Sequence, residues 1–190
     1  MTPSPKSPPE RSPAPGKLLQ RWGLTWAGWR DNRRGEWWLL AQLLLIAAHL
    51  LPPWPAPGAW GYAWPLPVAI GGVALFLVGL GLALQGFLNL GPSLTPLPEP
   101  MPGAALVTSG AYGRCRHPLY QAVLLCSLGV TLALGSLLHL ALLLALAGVL
   151  GGKARREERA LAAVHPTYAA YRAATPAIIP RLPWLDWRTL

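Results

Sequence analysis

The sequence predicts an all-α, polytopic membrane protein, with about four transmembrane helices, a cytosolic helical segment at the carboxyl end and a disordered amino-terminal tail. Three observations support this. Of 190 residues, 53% are hydrophobic and only 12% charged, where soluble domains carry about a quarter. The deficit is local. Trp37 to Leu90 holds no acid or base apart from His49, and Leu119 to Gly152 none apart from His139; runs this long and apolar read as membrane spans. The net charge of +9 sits in blocks beside those runs: Lys17, Arg21, Arg30, Arg33 and Arg34, then Arg114 and Arg116, then Lys153, Arg155, Arg156 and Arg159. That is the positive-inside pattern, which points to anionic lipid headgroups rather than nucleic acid.

Residues 1–16 are rich in Pro and Ser and lack apolar periodicity, which predicts disorder. Residues 17–35 place Leu18, Leu19, Trp22, Trp26 and Trp29 among Lys17, Arg21 and Arg30. Spacings of three and four put the tryptophans on one helical face, as in a helix lying on an anionic surface. An irregular basic leader is the alternative, because Gly23 and Gly28 weaken a helix. The first apolar run lies too deep in the chain for a cleaved signal peptide.

Residues 36–190 form the membrane domain. A first span runs from about Glu36 to Leu51, flanked by Trp37, Trp38 and Trp54 as an aromatic belt and stopped by Pro52 and Pro53. The uncharged loop to Trp64 faces outside. A second span covers about Leu66 to Leu90, and Gly71, Gly72, Gly79, Gly81 and Gly86 give it faces for close helix contact. A polar, proline-rich connection, Gly91 to His117, follows on the inside. Pro118 suits a first helical position and opens a third span to about Leu134. Gly135-Ser136 turns the chain outside, and a fourth span runs to about Gly152, its helix continuing past the membrane through Arg155 and Glu158. Both termini are then cytoplasmic. Pro166 restarts a short helix carrying Tyr168, Tyr171 and Arg172, Pro176 closes it, and Trp184 and Trp187 return to the interface.

Folding the third and fourth spans back at Gly135-Ser136 brings position 117 level with about 154, and 114 with about 157. The informative residues therefore meet at the cytoplasmic boundary: Tyr112, Arg114, Arg116, His117, Tyr120, Glu157, Glu158, Tyr168, Tyr171 and Arg172. A helix start at Pro118 favours an anion, and Arg116 can add bidentate carboxylate recognition. Together these can hold the carboxylate of an amino-acid-like cofactor. Glu157 or Glu158 can accept from an ammonium or from ribose hydroxyls. Tyrosine faces suit a sulfonium or quaternary ammonium. Lys153, Arg155, Arg156 and Arg159 read as topology-setting charges, and His49 and His139 as packing or interfacial residues. Cys115 and Cys126 are expected reduced and without a role. No metal site is expected.

Several stretches together resemble the isoprenylcysteine carboxyl methyltransferase family, related to the phospholipid N-methyltransferases. They are Leu90 to Pro96, Leu106 to Tyr112, Arg116-His117-Pro118-Leu119-Tyr120, Glu157 to Leu161, Tyr168 to Tyr171, and Pro176 to Pro180. The resemblance covers about Gly86 to Arg181. Two positions depart from it: His165-Pro166 stands where Phe-Gly is usual, and Gln121 where Gly is common. The resemblance implies S-adenosylmethionine bound from the cytosol by Arg116, His117, Tyr120, Glu157 and Glu158, with Tyr112, Tyr168 and Tyr171 beside it. It also implies a lipid-like substrate entering laterally from the bilayer. The expected activity is methyl transfer to a membrane-embedded small or lipid-like carboxylate, amine or phenol, with Arg116, His117 and Glu158 as the catalytic group. The alternatives are an NADPH-dependent reductase of sterol-reductase type, with Arg155-Arg156 taking a 2′-phosphate, and a non-enzymatic membrane scaffold or assembly factor. The oligomeric state is open.

Overall fold

Pro and Gly set most of the helix boundaries. The structure, a computed structural model, describes Trp22 and residues 25–188. The expected tail at residues 1–16 lies outside the described residues, as does most of the segment before Thr25. Seven α-helices are present among the described residues, and no strand. They are α1 (Trp26–Asp31), α2 (Glu36–Ala48), α3 (Leu66–Leu90), α4 (Ala111–Arg114), α5 (Pro118–Leu134), α6 (Leu137–Val164) and α7 (Tyr168–Ala174). Thr25 caps α1 by accepting from the Gly28 amide at 3.1 Å, satisfying one of the free donors of the first turn. α3 opens behind Pro65 and stops at Gly91, α5 opens on Pro118, and Gly135 ends it in the left-handed conformation, φ 59°.

α3 with the turn after it, Leu66–Ser93, and α6 are long and apolar enough to cross a membrane. The α2 and α5 helices are apolar but shorter, at 13 and 17 residues. At about 1.5 Å per residue, α2 spans only about 20 Å, against about 30 Å of hydrocarbon. α6 runs on to Val164, further than its apolar part requires, and carries Arg155 through Glu158 beyond the apolar stretch as expected.

Bare glycine faces hold α3 against α5. Gly72, Gly79 and Gly86 are the buried residues of α3, and their seven-residue period keeps them on one seam. A Cβ on Gly79 would lie 2.6 Å from Cys126 Sγ and 3.0 Å from the Ala122 carbonyl, and one on Gly129 would lie 2.7 Å from the Gly72 carbonyl. Gly71 and Gly81, also expected to make helix contacts, instead meet nothing within 4 Å and face outward. The outer surface of α3 is apolar and bare, with Ile70, Leu77, Val78, Leu84 and Leu88 all exposed. A soluble domain rarely exposes such a patch.

The two ends differ chemically. One end joins the loop after α2 to the α5–α6 turn: Ser136 Oγ accepts from the Trp54 amide at 3.0 Å, and Trp64 Nε1 donates to the Leu132 carbonyl at 2.7 Å. That end carries no Asp, Glu, Lys or Arg, since none occurs between Trp37 and Leu90 or between Leu119 and Gly152. The charged groups gather at the other end, where Arg156 donates to the Arg33 carbonyl at 2.8 Å and Glu99 lies 3.8 Å from Arg34. Between the ends, His49 joins α2 to α5 through Ser127 Oγ at 2.5 Å, and fully buried His139 faces the His49 carbonyl at 3.3 Å. The expectation that Trp184 and Trp187 both return to the interface is corrected. Trp184 is exposed, but Trp187 is buried, in a core cluster with Leu150, Ala154, Ile178 and Leu185.

The glycine seam makes a direct prediction. Gly79→Leu drives a side chain into the α5 backbone and costs about 1–3 kcal/mol, whereas Gly81→Leu stays within about 0.5 kcal/mol. Thermal unfolding in detergent should show the first variant melting several degrees below the second.

Candidate active site

The charged end is organised by a corner of chain between α4 and α5. α4 docks on the end of α3: Asn89 Oδ1 accepts from the Ala111 amide at 2.8 Å, and Arg114 donates to Gln85 Oε1 at 2.6 Å. Gly110 precedes it at φ 62°, with Asn89 packed where a side chain would stand, so glycine is needed there. Residues 115–117 then run beside 176–178. The Arg116 amide donates to the Pro176 carbonyl at 2.8 Å and the His117 amide to the Ala177 carbonyl at 3.0 Å. Cys115 Sγ donates to the Ala177 carbonyl at 3.0 Å, and burial pushes its thiol up to about 11. It is a buried free thiol.

Arg116 turns inward and spends every donor it has. Nε donates to Glu158 Oε1 at 2.8 Å and one terminal nitrogen to Glu158 Oε2 at 3.2 Å. The remaining N–H groups go to the carbonyls of Arg172 at 2.9 Å, Trp187 at 2.7 Å and Thr175. A guanidinium has five donors, and all five are engaged. Glu158, 0% exposed, is equally saturated: His117 Nε2 lies 2.9 Å from Oε1, and Trp187 Nε1 donates to Oε2 at 2.7 Å. A buried charge pair is tolerated when its remaining hydrogen-bonding positions are filled in this way. Every donor of Arg116 and both carboxylate oxygens of Glu158 are thus taken up within the protein.

The residues with free faces lie one step out. The His117 ring stacks on Tyr120 with centroids 5.2 Å apart and planes 1° off parallel. Tyr120 donates its hydroxyl to Glu157 Oε2 at 2.7 Å, and His117 Nδ1 lies 3.7 Å from the same oxygen. A cavity of about 280 Å³ opens here between α2, α3, α5 and α6, with Leu39, Leu43, Phe87, Leu119 and Val123 as its apolar wall. A smaller cavity of about 70 Å³ is lined by Tyr112, Tyr168, Tyr171, Leu161 and His165. Tyr112, Arg116 and Glu157 border both. Tyr171 donates to the Tyr112 carbonyl at 2.6 Å and stands edge-on to Tyr168, centroids 5.9 Å apart. Burial above all pushes the phenols of Tyr112, Tyr168 and Tyr171 well above the ordinary tyrosine range, so all three stay neutral.

Seven of the eight expected site residues therefore line one pair of cavities, and Glu158 lies buried behind them, bonded to Arg116 and His117. Reading the sequence missed three contributors. Trp187 completes the shell of Glu158. Asp186 places it: its carboxylate accepts from the amides of Ala177 at 3.1 Å and Arg181 at 3.0 Å, closing the carboxyl-terminal loop. Burial pushes that carboxyl up, but Arg188 and the two amides outweigh it and hold it below the ordinary range. The available signal was that Asp186 is the only acid after Glu158. Lys153, expected to set topology, is instead buried in the wall of the larger cavity.

Among the described residues the chain is all-helical, with bare apolar faces and a polar pocket at one end, as in a membrane-embedded protein. Residues 68–167 match the phospholipid methyltransferase family, and the chain belongs to that family of membrane methyltransferases. It is similar to the cobalt-zinc-cadmium resistance protein CzcN of Cupriavidus metallidurans, 37% identical over 156 residues that cover 80% of this chain. The match spans 65% of that relative's length. No solved structure matches the chain.

The closure of the Glu158 shell is testable. Trp187→Phe keeps an aromatic ring in the core but removes the indole N–H, leaving a buried carboxylate oxygen one donor short at a cost of about 1–3 kcal/mol, to which the volume lost with the second ring adds. The variant is expected to unfold at lower denaturant than wild type, while Trp184→Phe, at an exposed position, is not.

Proposed function

We propose that the chain transfers a methyl group from S-adenosylmethionine to a small or lipid-like acceptor held in the membrane, at the cytoplasmic face. The supporting observation is the pair of cavities meeting at Tyr112 and Glu157, one walled by aliphatic side chains and the other by tyrosines. The donor set fits this cofactor. Aromatic faces attract a sulfonium, neutral buried phenols supply hydrogen bonds without opposing its charge, and Glu157 can accept from its ammonium or ribose hydroxyls. When bound, S-adenosylmethionine supplies an electrophilic methyl group.

The chain's own part is alignment and exclusion of water. Positioning two reactants can contribute several kcal/mol, roughly 7–11 in the best cases. Glu157 is fixed by the Tyr120 hydroxyl and Tyr120 by the His117 ring, while His117 is fixed through Nε2 by the saturated Glu158. Arg116 and Glu158 are thus positioning residues, and Tyr112, His117, Tyr120 and Glu157 are the groups in reach of ligands. Trp22, whose Nε1 donates to the Leu94 carbonyl at 2.9 Å, covers the larger cavity. A carboxylate acceptor needs no base. For an amine or phenol, His117 Nδ1 is the ring nitrogen left to take a proton, with Glu157 Oε2 beside it.

The topology proposed with this function has α2, α3, α5 and α6 all crossing the bilayer, with both termini on the cytoplasmic side. The gathering of charge at one end supports it, and the aliphatic wall of the larger cavity supports lateral entry of substrate. Nothing in the site favours the reductase alternative. Arg155 lies over the Trp187 ring at 4.3 Å while Arg156 reaches the Arg33 carbonyl, so the two do not converge on a phosphate. Among the described residues no three His, Cys, Asp or Glu side chains cluster as a metal site, and the resistance named for the relative is not carried over.

Calorimetry on purified protein in nanodiscs tests the assignment. Wild type should bind S-adenosylmethionine and not NADPH. Glu157→Gln should weaken binding by roughly ten- to a hundredfold, the scale of a lost charge-assisted hydrogen bond. Unchanged affinity in Glu157→Gln, or binding of NADPH instead, contradicts the proposal.

A further inference from the structure

Residues 25–36 form a strap across the charged end, over a loop that helps to wall the larger cavity. Several contacts tie the two together. Gly35, at φ 82°, packs against Pro98 and the Arg156 guanidinium, where a Cβ would collide with the proline. Arg34 and Arg156 both approach Glu99, at 3.8 and 3.9 Å, and Arg156 also donates to the Arg33 carbonyl at 2.8 Å. Leu97 and Pro98 are buried, and Leu94, Thr95 and Pro96 stand in the cavity wall. The strap is held down against a cost. Glu36 is fully buried; its Oε2 accepts from the Arg34 amide at 3.0 Å, but its Oε1 has no hydrogen-bond partner among the described residues. Gly28 of α1 lies directly over that oxygen. A buried oxygen without a donor opposes docking, and lifting α1 would return it to water. With six residues, α1 is also too short to be stable alone. The docked strap needs support from outside.

The outward face of the strap shows what can supply it. Trp26 is 89% exposed and Trp37 57%, and the side chains of Arg30 and Arg33 stand 82% and 75% exposed. The two arginines share Asp31, at 3.3 and 3.0 Å. With Arg34, Arg156 and Glu99 counted, four bases face two acids. Exposed ion pairs of this kind are weak, so the guanidiniums are available to other anions. α2 leaves this face with Leu40, Leu43 and Leu44 exposed, which makes the indoles and guanidiniums continuous with an apolar surface. Indoles beside arginines at such a boundary match the headgroup region of an anionic bilayer. We propose that this face binds the phosphate groups of anionic phospholipids, and that the binding holds the strap down on the 94–98 loop and so fixes one wall of the larger cavity. The bilayer then acts on the site as a charge-dependent effector. This goes beyond the transferase reading and does not depend on it.

The test is amide hydrogen exchange on the full chain in nanodiscs of phosphatidylcholine alone and of phosphatidylcholine with phosphatidylglycerol. Exchange is followed in α1 and at Leu94, Thr95 and Leu97, with α5 as the internal reference. Phosphatidylglycerol should slow exchange in both α1 and the loop by roughly tenfold or more, and added salt should reverse the effect. Replacing both arginines, Arg30→Gln with Arg33→Gln, should remove the response in both segments. Asp31→Asn, which frees both arginines, should enlarge it. The substituted side chains are at the surface, and unchanged exchange in α5 shows that each variant is folded. A response that is absent in wild type, or that survives in the double variant, overturns the proposal. Slowing of α1 with the loop unchanged overturns it as a strap, and equal slowing of α5 marks a general lipid effect and overturns it too. If soluble polyglutamate slows α1 in phosphatidylcholine nanodiscs as strongly as phosphatidylglycerol does, the face fits an acidic protein and the lipid proposal fails.

Discussion

One buried ion pair joins three distant parts of the chain. Arg116 comes from the corner before α5, Glu158 from the far end of α6, and the carbonyls that complete the guanidinium shell from the carboxyl-terminal segment. Such a pair contributes little net stability when compared with an apolar replacement, because desolvation offsets most of the attraction. Its value is geometric. Five donors and four acceptor positions are matched within the protein, so any displacement of α6, α5 or the segment around Trp187 leaves a buried polar group unpaired. His117, Tyr120 and Glu157 inherit their positions from that lock.

The helix packing puts the lock where it can serve the membrane. Along the α3–α5 seam glycines let backbones approach to within contact distance, where association depends on close packing rather than on exclusion of water. The outward faces of α3 remain aliphatic. Charge is confined to one end, and the two cavities open at that end. Membership in the phospholipid methyltransferase family agrees with this division.

Much of this was legible in the sequence. Proline and glycine fixed the bounds of α3 and α5, because Pro118 begins a helix well and Gly91 and Gly135 end one. The hairpin at Gly135-Ser136 placed Arg116 and His117 opposite Glu157 and Glu158 by simple counting along two antiparallel helices. What counting could not show is which polar groups are already satisfied. The partners of Arg116 include three backbone carbonyls, and every residue type carries that acceptor, so no pattern marks them. Trp187 read as an interfacial anchor because aromatic residues near a chain end usually are; its indole N–H matters only once Asp186 has folded the loop beneath α6. Lys153 read as one of a block of topology charges, because its burial depends on α2 packing alongside and presenting Gln42.

The central claim is that Arg116 and Glu158 act as one internal unit. A double-mutant cycle of Arg116→Met and Glu158→Met, read by reversible unfolding in mixed micelles, addresses it most directly. Each single variant strands a buried charge, costing about 3–5 kcal/mol, and the double variant removes both charges. The double variant should therefore be less destabilised than the sum of the singles, by at least about 2 kcal/mol, and additivity within about 0.5 kcal/mol would contradict the account.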